Sequence, residues 1–206
     1  MHQNLPSQPR TSCALSPLGL IPLAPTISLY TLSRADLIHI SPSLLGLILI
    51  LGGATQVSAG LTARRLGNSC GAATLIPIGL FWLSLLCFYI FPQLGLCKGP
   101  SAVAMTSYLT MWGIFAAIFY LGSFSQSRII QLLFGSMMVC FLSLGLAEIR
   151  DNVVFLYSAA FCGTTCGLTA LYAGLAQILN ERLHRTVMPL GSWHGDLDDD
   201  YEQVSS

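Results

Sequence analysis

The sequence predicts an all-α integral membrane protein of six transmembrane helices, with the N and C termini cytoplasmic. Three observations predict it. Residues 66–97, 99–127, 129–147 and 152–180 contain no Asp, Glu, Lys or Arg. Charged residues make up 9% of the chain, against about 25% in ordinary soluble proteins. Mean hydropathy is +0.68. A helix needs roughly 20 mostly apolar residues to cross the hydrocarbon layer, and a charge at its centre costs about 2.5–3.5 kcal/mol on insertion scales. A soluble bundle does not account for four charge-free windows of that length.

The elements follow in order. Residues 1–14 are rich in Pro, Gln and Ser and read as a disordered tail. The first span, over 17–32, is short and carries Pro22 and Pro25. Proline is tolerated in membrane helices when neighbours re-satisfy the freed backbone groups. The second span covers 43–63 and stops at Arg64 and Arg65. The remaining spans cover 71–91, 101–123, 129–146 and 153–179. Connections are short, so no soluble domain is inserted. The transmembrane body is therefore 15–190, and 191–206 is a disordered tail with an acidic run at 196–202. That run is either a solvated end or a partner-binding or sorting element.

Six spans put both termini on one side. That side collects Arg10, Arg64, Arg65, Arg128, Arg182 and Arg185, and the opposite side only Arg34, Lys98 and Arg150. The bias favours cytoplasmic termini. No cleavable signal peptide or organelle address is evident, so the plasma membrane is the default location. No basic patch points to nucleic acid. Metalloprotease, nucleophile-elbow and P-loop motifs are missing, so no enzyme is expected. The four histidines fall at ends, loops or tails. Cys162 and Cys166 sit one turn apart with no further metal ligands nearby, so no metal or cofactor is expected. Most of the seven cysteines lie in apolar segments, and their odd count argues against a disulfide framework.

Small residues recur at helix-packing spacing: Gly53 and Gly60 with Ala54 and Ala59, then Gly67 and Gly71, then Gly163, Gly167, Ala170, Ala173 and Gly174. Such faces let helix backbones approach closely in lipid. Inside the spans only mild polarity remains. Gln56 sits mid-span in the second. Thr74 lies in the third, and Thr106, Ser107, Thr110 and Tyr120 in the fourth. Thr164, Thr165, Thr169, Tyr172 and Gln177 lie along the sixth. Each either hydrogen-bonds between helices or lines a path for a small solute that is neutral or transiently charged. Gln56, Tyr120, Thr169 and Tyr172 are the pathway candidates. Gln56 leads, since a buried amide in lipid needs a partner.

Four stretches carry a resemblance: GGATQVSAGLTARRLGN at 52–68, GLFWL at 79–83, YLTMWGIFAAIFYLG at 108–122 and YAGLAQILNERLHRTVMPLG at 172–191. In order and spacing they resemble the acetate uptake transporter family of bacterial succinate–acetate permeases and fungal acetate permeases. The resemblance covers about residues 14–191. It implies a six-helix protomer carrying acetate or similar monocarboxylates with a proton, and a homo-oligomer, a hexamer in that family. Two readings stand beside it: a passive channel for small anions or neutral solutes, and a scaffold or sensor that kept the fold and lost the pathway.

The chain departs from the family in two places. The family opens its first helix with N-P-A-P-L-G-L, and here the Asn and first Pro are replaced by Ala14 and Leu15. The family's narrow point uses Phe, Tyr and Leu from three helices. The positions aligned with them are Leu23, Ile78 and Met137, which implies an apolar constriction without aromatic or hydroxyl groups. Asn180, Glu181, Arg185 and Thr186 match the closing motif residue by residue. Glu181 and Arg185 stand at i and i+4, an orientation suited to a helix-surface ion pair. The motif reads as a cytoplasmic clasp or as a gate.

Overall fold

A computed structural model describes residues 15–150, 152–185 and 187–190. The expectations for the two tails and for Thr186 lie outside the described residues. Within them six α-helices follow one another: α1 Pro17–Arg34, α2 Pro42–Arg65, α3 Ser69–Gln93, α4 Ala102–Gly122, α5 Arg128–Arg150 and α6 Val153–Leu183. A short 3-10 turn, Ser123–Ser125, joins α4 to α5.

Most helices run past the charge-free windows. α1, α2 and α5 end on Arg34, Arg65 and Arg150. Cations suit a helix C-terminus, and their long stems reach from apolar surface to water. Polar side chains stop the other ends. Ser41, Asn68 and Ser101 accept from the backbone N–H three residues on, and Asn152 from Val154. Gly67 closes α2 at φ +80°, where the Asn68 N–H reaches back to the Ala63 carbonyl. Gly67 is thus a helix terminator rather than half of a packing motif.

Helices α2 to α6 are long and apolar enough to cross a membrane. By that measure α1 is not, because three prolines, several hydroxyls and Arg34 dilute its 18 residues. Yet Leu20, Leu23, Ile27 and Tyr30 of α1 are all buried. Its place comes from neighbours. Ideal Cβ atoms on Gly163 and Gly167 of α6 would run into Thr31 Oγ1 and Ser28 Oγ, and one on Gly174 would fall 2.8 Å from Ile21. On the other flank Gly52 of α2 leaves room for Thr26, whose hydroxyl donates to the Pro22 carbonyl at 2.7 Å.

Gly53 and Gly60 seat α2 on α3: a Cβ on Gly53 would meet the Gly79 carbonyl at 2.9 Å, and one on Gly60 the Ile76 side chain at 2.6 Å. The helices neighbour one another in the order α3, α2, α1, α6, α5, α4. Side chains close the ring: the Tyr108 hydroxyl of α4 donates to the Phe81 carbonyl of α3 at 3.0 Å and lies 2.6 Å from Ser84 Oγ. Cys140 and Cys166 are buried and free, as small hydrophobes would be. Cys70 departs from that expectation, being disulfide-bonded.

Candidate substrate pathway

The odd-numbered helices α1, α3 and α5 carry Leu23, Ile78 and Met137, and all three side chains are buried in one core. Ile78 and Met137 share the wall of an apolar cavity of about 10 Å³ with Phe81, Trp112, Phe115, Ala116, Phe119 and Phe141. Leu23 lies in the same core but off that wall. The rings are close: Phe81 stands 5.3 Å from Trp112 and 4.6 Å from Phe141, and Trp112 stands 5.5 Å from Phe115. Rings from α3, α4 and α5 thus line the cavity beside Ile78 and Met137.

Gln56 is fully buried, and neither its amide oxygen nor its nitrogen has a hydrogen-bond partner among the described residues. Its direction follows from helix geometry. At 100° per residue it falls between Gly52, which faces Thr26 of α1, and Gly53 and Gly60, which face α3. The amide therefore looks inward between α1 and α3. Left unsatisfied, it costs about 1–3 kcal/mol.

The other pathway candidates are not gathered with it. Tyr120 covers Gly135 and lines an open groove of about 450 Å³ with Arg128, Gln131, Ser136 and Thr165. The Thr169 hydroxyl donates to the Thr165 carbonyl of its own helix at 2.7 Å. The Tyr172 hydroxyl donates to the Pro189 carbonyl at 3.1 Å. Among the remaining hydroxyls Thr106 bonds across helices, to the Gly145 carbonyl at 2.9 Å. Thr74, Ser107 and Thr165 donate within their own helices, the usual back-bonding of helical hydroxyls.

The closing motif is organised by Asn180. Its Nδ2 donates to the Met188 carbonyl at 2.9 Å, and its Oδ1 accepts from the N–H groups of Val187 and Met188 at 2.8 and 3.0 Å. These bonds fold residues 187–190 back over the end of α6. The expected ion pair between Glu181 and Arg185 is not formed among the described residues. α6 ends at Leu183 and His184 turns left-handed at φ 49°, so Arg185 leaves the helix before the i, i+4 geometry is reached.

One polar contact escaped the sequence. Arg34 at the end of α1 hydrogen-bonds Glu148 near the end of α5. Tyr30 of α1, nearly fully buried, has its hydroxyl 3.4 Å from that of Tyr89 on α3. Each charge looked like a solvated span end, and no local pattern links positions 114 residues apart. The arrangement is an uncharged, ring-lined core with one inward amide and an ion pair at one end.

Comparison with known proteins agrees in extent and fold. A family model described as the GPR1/FUN34/yaaH family matches residues 3–191. The chain is 32% identical over 179 residues to the succinate-acetate/proton symporter SatP of Escherichia coli (strain K12), covering 87% of this chain and 95% of that protein. It is 28% identical over 175 residues to ammonia transport outward protein 2 of Saccharomyces cerevisiae (strain ATCC 204508 / S288c), covering 81% of this chain and 62% of that one. The solved structure of the bacterial acetate channel SatP superposes with a TM-score of 0.81 at 32% identity, over 85% of this chain and 97% of that chain.

Proposed function

This chain belongs to the GPR1/FUN34/yaaH family, and from that premise we propose that it carries acetate and similar small monocarboxylates across a membrane together with a proton. It is a multi-pass membrane protein of a transporter and channel family, and not an enzyme. The observation that carries the proposal is the uncharged core around Ile78 and Met137. Moving an ion out of water into such surroundings costs several kcal/mol even after relaxation. A carboxylate that crosses neutralised by a proton avoids that cost. Gln56 suits the neutral acid: its N–H donates to the acid's carbonyl while its oxygen accepts from the acid's O–H.

The same reading takes all six helices as crossings, with residues 15–190 as the transport body and both termini cytoplasmic. It places Leu23, Ile78 and Met137 at the constriction, and the protein in the plasma membrane as a homo-hexamer. α1 counts as the sixth crossing because its contacts with α6 run from Leu20 to Thr31. Asn180, Glu181, Arg185 and Thr186 form the cytoplasmic clasp, with Asn180 as its anchor. A passive channel is the second reading, favoured by the likeness to the SatP acetate channel. Labelled acetate uptake into proteoliposomes, with and without a proton ionophore, tests both. Concentrative uptake abolished by the ionophore supports the carrier, and equilibration alone supports the channel. A scaffold or sensor without a pathway moves no acetate, propionate or succinate at any gradient.

A further inference from the structure

We infer that Arg34, held by Glu148 at the end of the core, is the docking point for the solute's carboxylate before it enters. The inference rests on the transport reading above and names the group that first meets the substrate. Its basis is a register shared by three helices. From Leu23 to Arg34, from Ile78 to Tyr89 and from Met137 to Glu148 is the same step of eleven residues. That step is about three turns and roughly 16 Å of rise, so each outer residue stands over its core residue on one helix face. The three outer ends converge. Arg34 bonds Glu148, the Tyr30 and Tyr89 hydroxyls are 3.4 Å apart, and both phenols lie within electrostatic reach of Arg34. This end of the core therefore carries one guanidinium, one carboxylate and two phenols.

The chemistry of that ring fits an anion. A guanidinium presents a planar fork matched to a carboxylate. Glu148 occupies the fork through a single contact from one terminal nitrogen to Oε1. Among the described residues Arg34 makes this one hydrogen bond, and its other N–H donors find no acceptor there. The side chains are 34% and 21% exposed, partly desolvated yet open to water. A free carboxylate can take the vacant donors, and Glu148 is a tethered competitor for the same fork. The Tyr30 hydroxyl, one turn closer to Leu23 on α1, offers the next polar group on the way in.

The test uses purified protein in proteoliposomes, with equilibrium binding of labelled acetate in detergent as a second readout. Arg34→Gln is expected to raise the half-saturation for acetate about tenfold or more, the size of a lost charge-assisted hydrogen bond, with little change in maximum rate. Arg34→Lys, keeping charge without the fork, falls between. Glu148→Gln removes the competitor and is expected to lower the half-saturation. A structural staple between α1 and α5 predicts instead that both single variants lose yield and melting temperature together, and that the swap Arg34→Glu with Glu148→Arg restores uptake. That pattern, or an unchanged half-saturation in Arg34→Gln, overturns the inference. If the wild-type chain moves no acetate, the transport reading fails on its own. The binding assay then still decides: Arg34-dependent acetate binding supports the docking point, and binding indifferent to Arg34→Gln overturns it.

Discussion

Gln56 brings both ends of a carboxamide into a core where neither finds a partner among the described residues. Gln56→Leu keeps the volume and removes the unsatisfied group, whose burial costs about 1–3 kcal/mol. The variant is expected to melt at the same temperature or higher while its acetate uptake falls. A lower melting temperature would show that the amide is already satisfied in the fold. Gln56 was legible in the sequence because it is the only amide in the middle of its span. The Arg34–Glu148 pair was not, since a lone charge beside an apolar window looks the same whether solvated or paired. The partner of Tyr172 was not legible either. That tyrosine falls among polar positions of α6, but its hydroxyl is taken by the Pro189 carbonyl.

The glycine seats set how closely helices approach. A Cβ on Gly79 would lie 2.7 Å from the Gly53 carbonyl and 2.8 Å from the Val57 nitrogen, both backbone atoms that cannot swing aside. Gly79→Val is expected to lower the yield of folded protein on size-exclusion chromatography, as overpacking costs about 1–3 kcal/mol or more. Gly122→Ala, with nothing within 4 Å, is expected to leave yield unchanged and serves as the control. The closing motif makes a parallel case at the end of α6. Asn180→Ala removes three hydrogen bonds to residues 187 and 188, and should raise hydrogen exchange at Val187 and Met188 while the core stays protected. The small faces at Gly53 and Gly163 were legible because their spacing is helical. Gly67 shared that spacing but ends a helix, and only its positive φ reveals this.

For the molecule as a whole, composition decided the class because the bilayer selects on composition. Charge-free windows located α3 to α6, the apolar run ending at Arg64 and Arg65 located α2, and only α1 needed its neighbours to earn a place. Which face of each helix looks inward was not legible. In lipid both the core and the outer surface are apolar: Ile114 and Ile118 of α4 are exposed and Ile78 of α3 is buried. No amphipathic stripe therefore orients the helices, and the ring order and shared register emerge only from packing. The resemblance carried by the four motifs supplied the family, and it could not show that rings from α3, α4 and α5 line the cavity beside Ile78 and Met137. The central claim is that this core passes a monocarboxylate neutralised by a proton. Uptake of labelled acetate into proteoliposomes under an inward proton gradient measures it most directly. The account predicts accumulation above the external concentration that a proton ionophore collapses; uptake that only equilibrates, indifferent to the ionophore, or no uptake at any gradient, would contradict it.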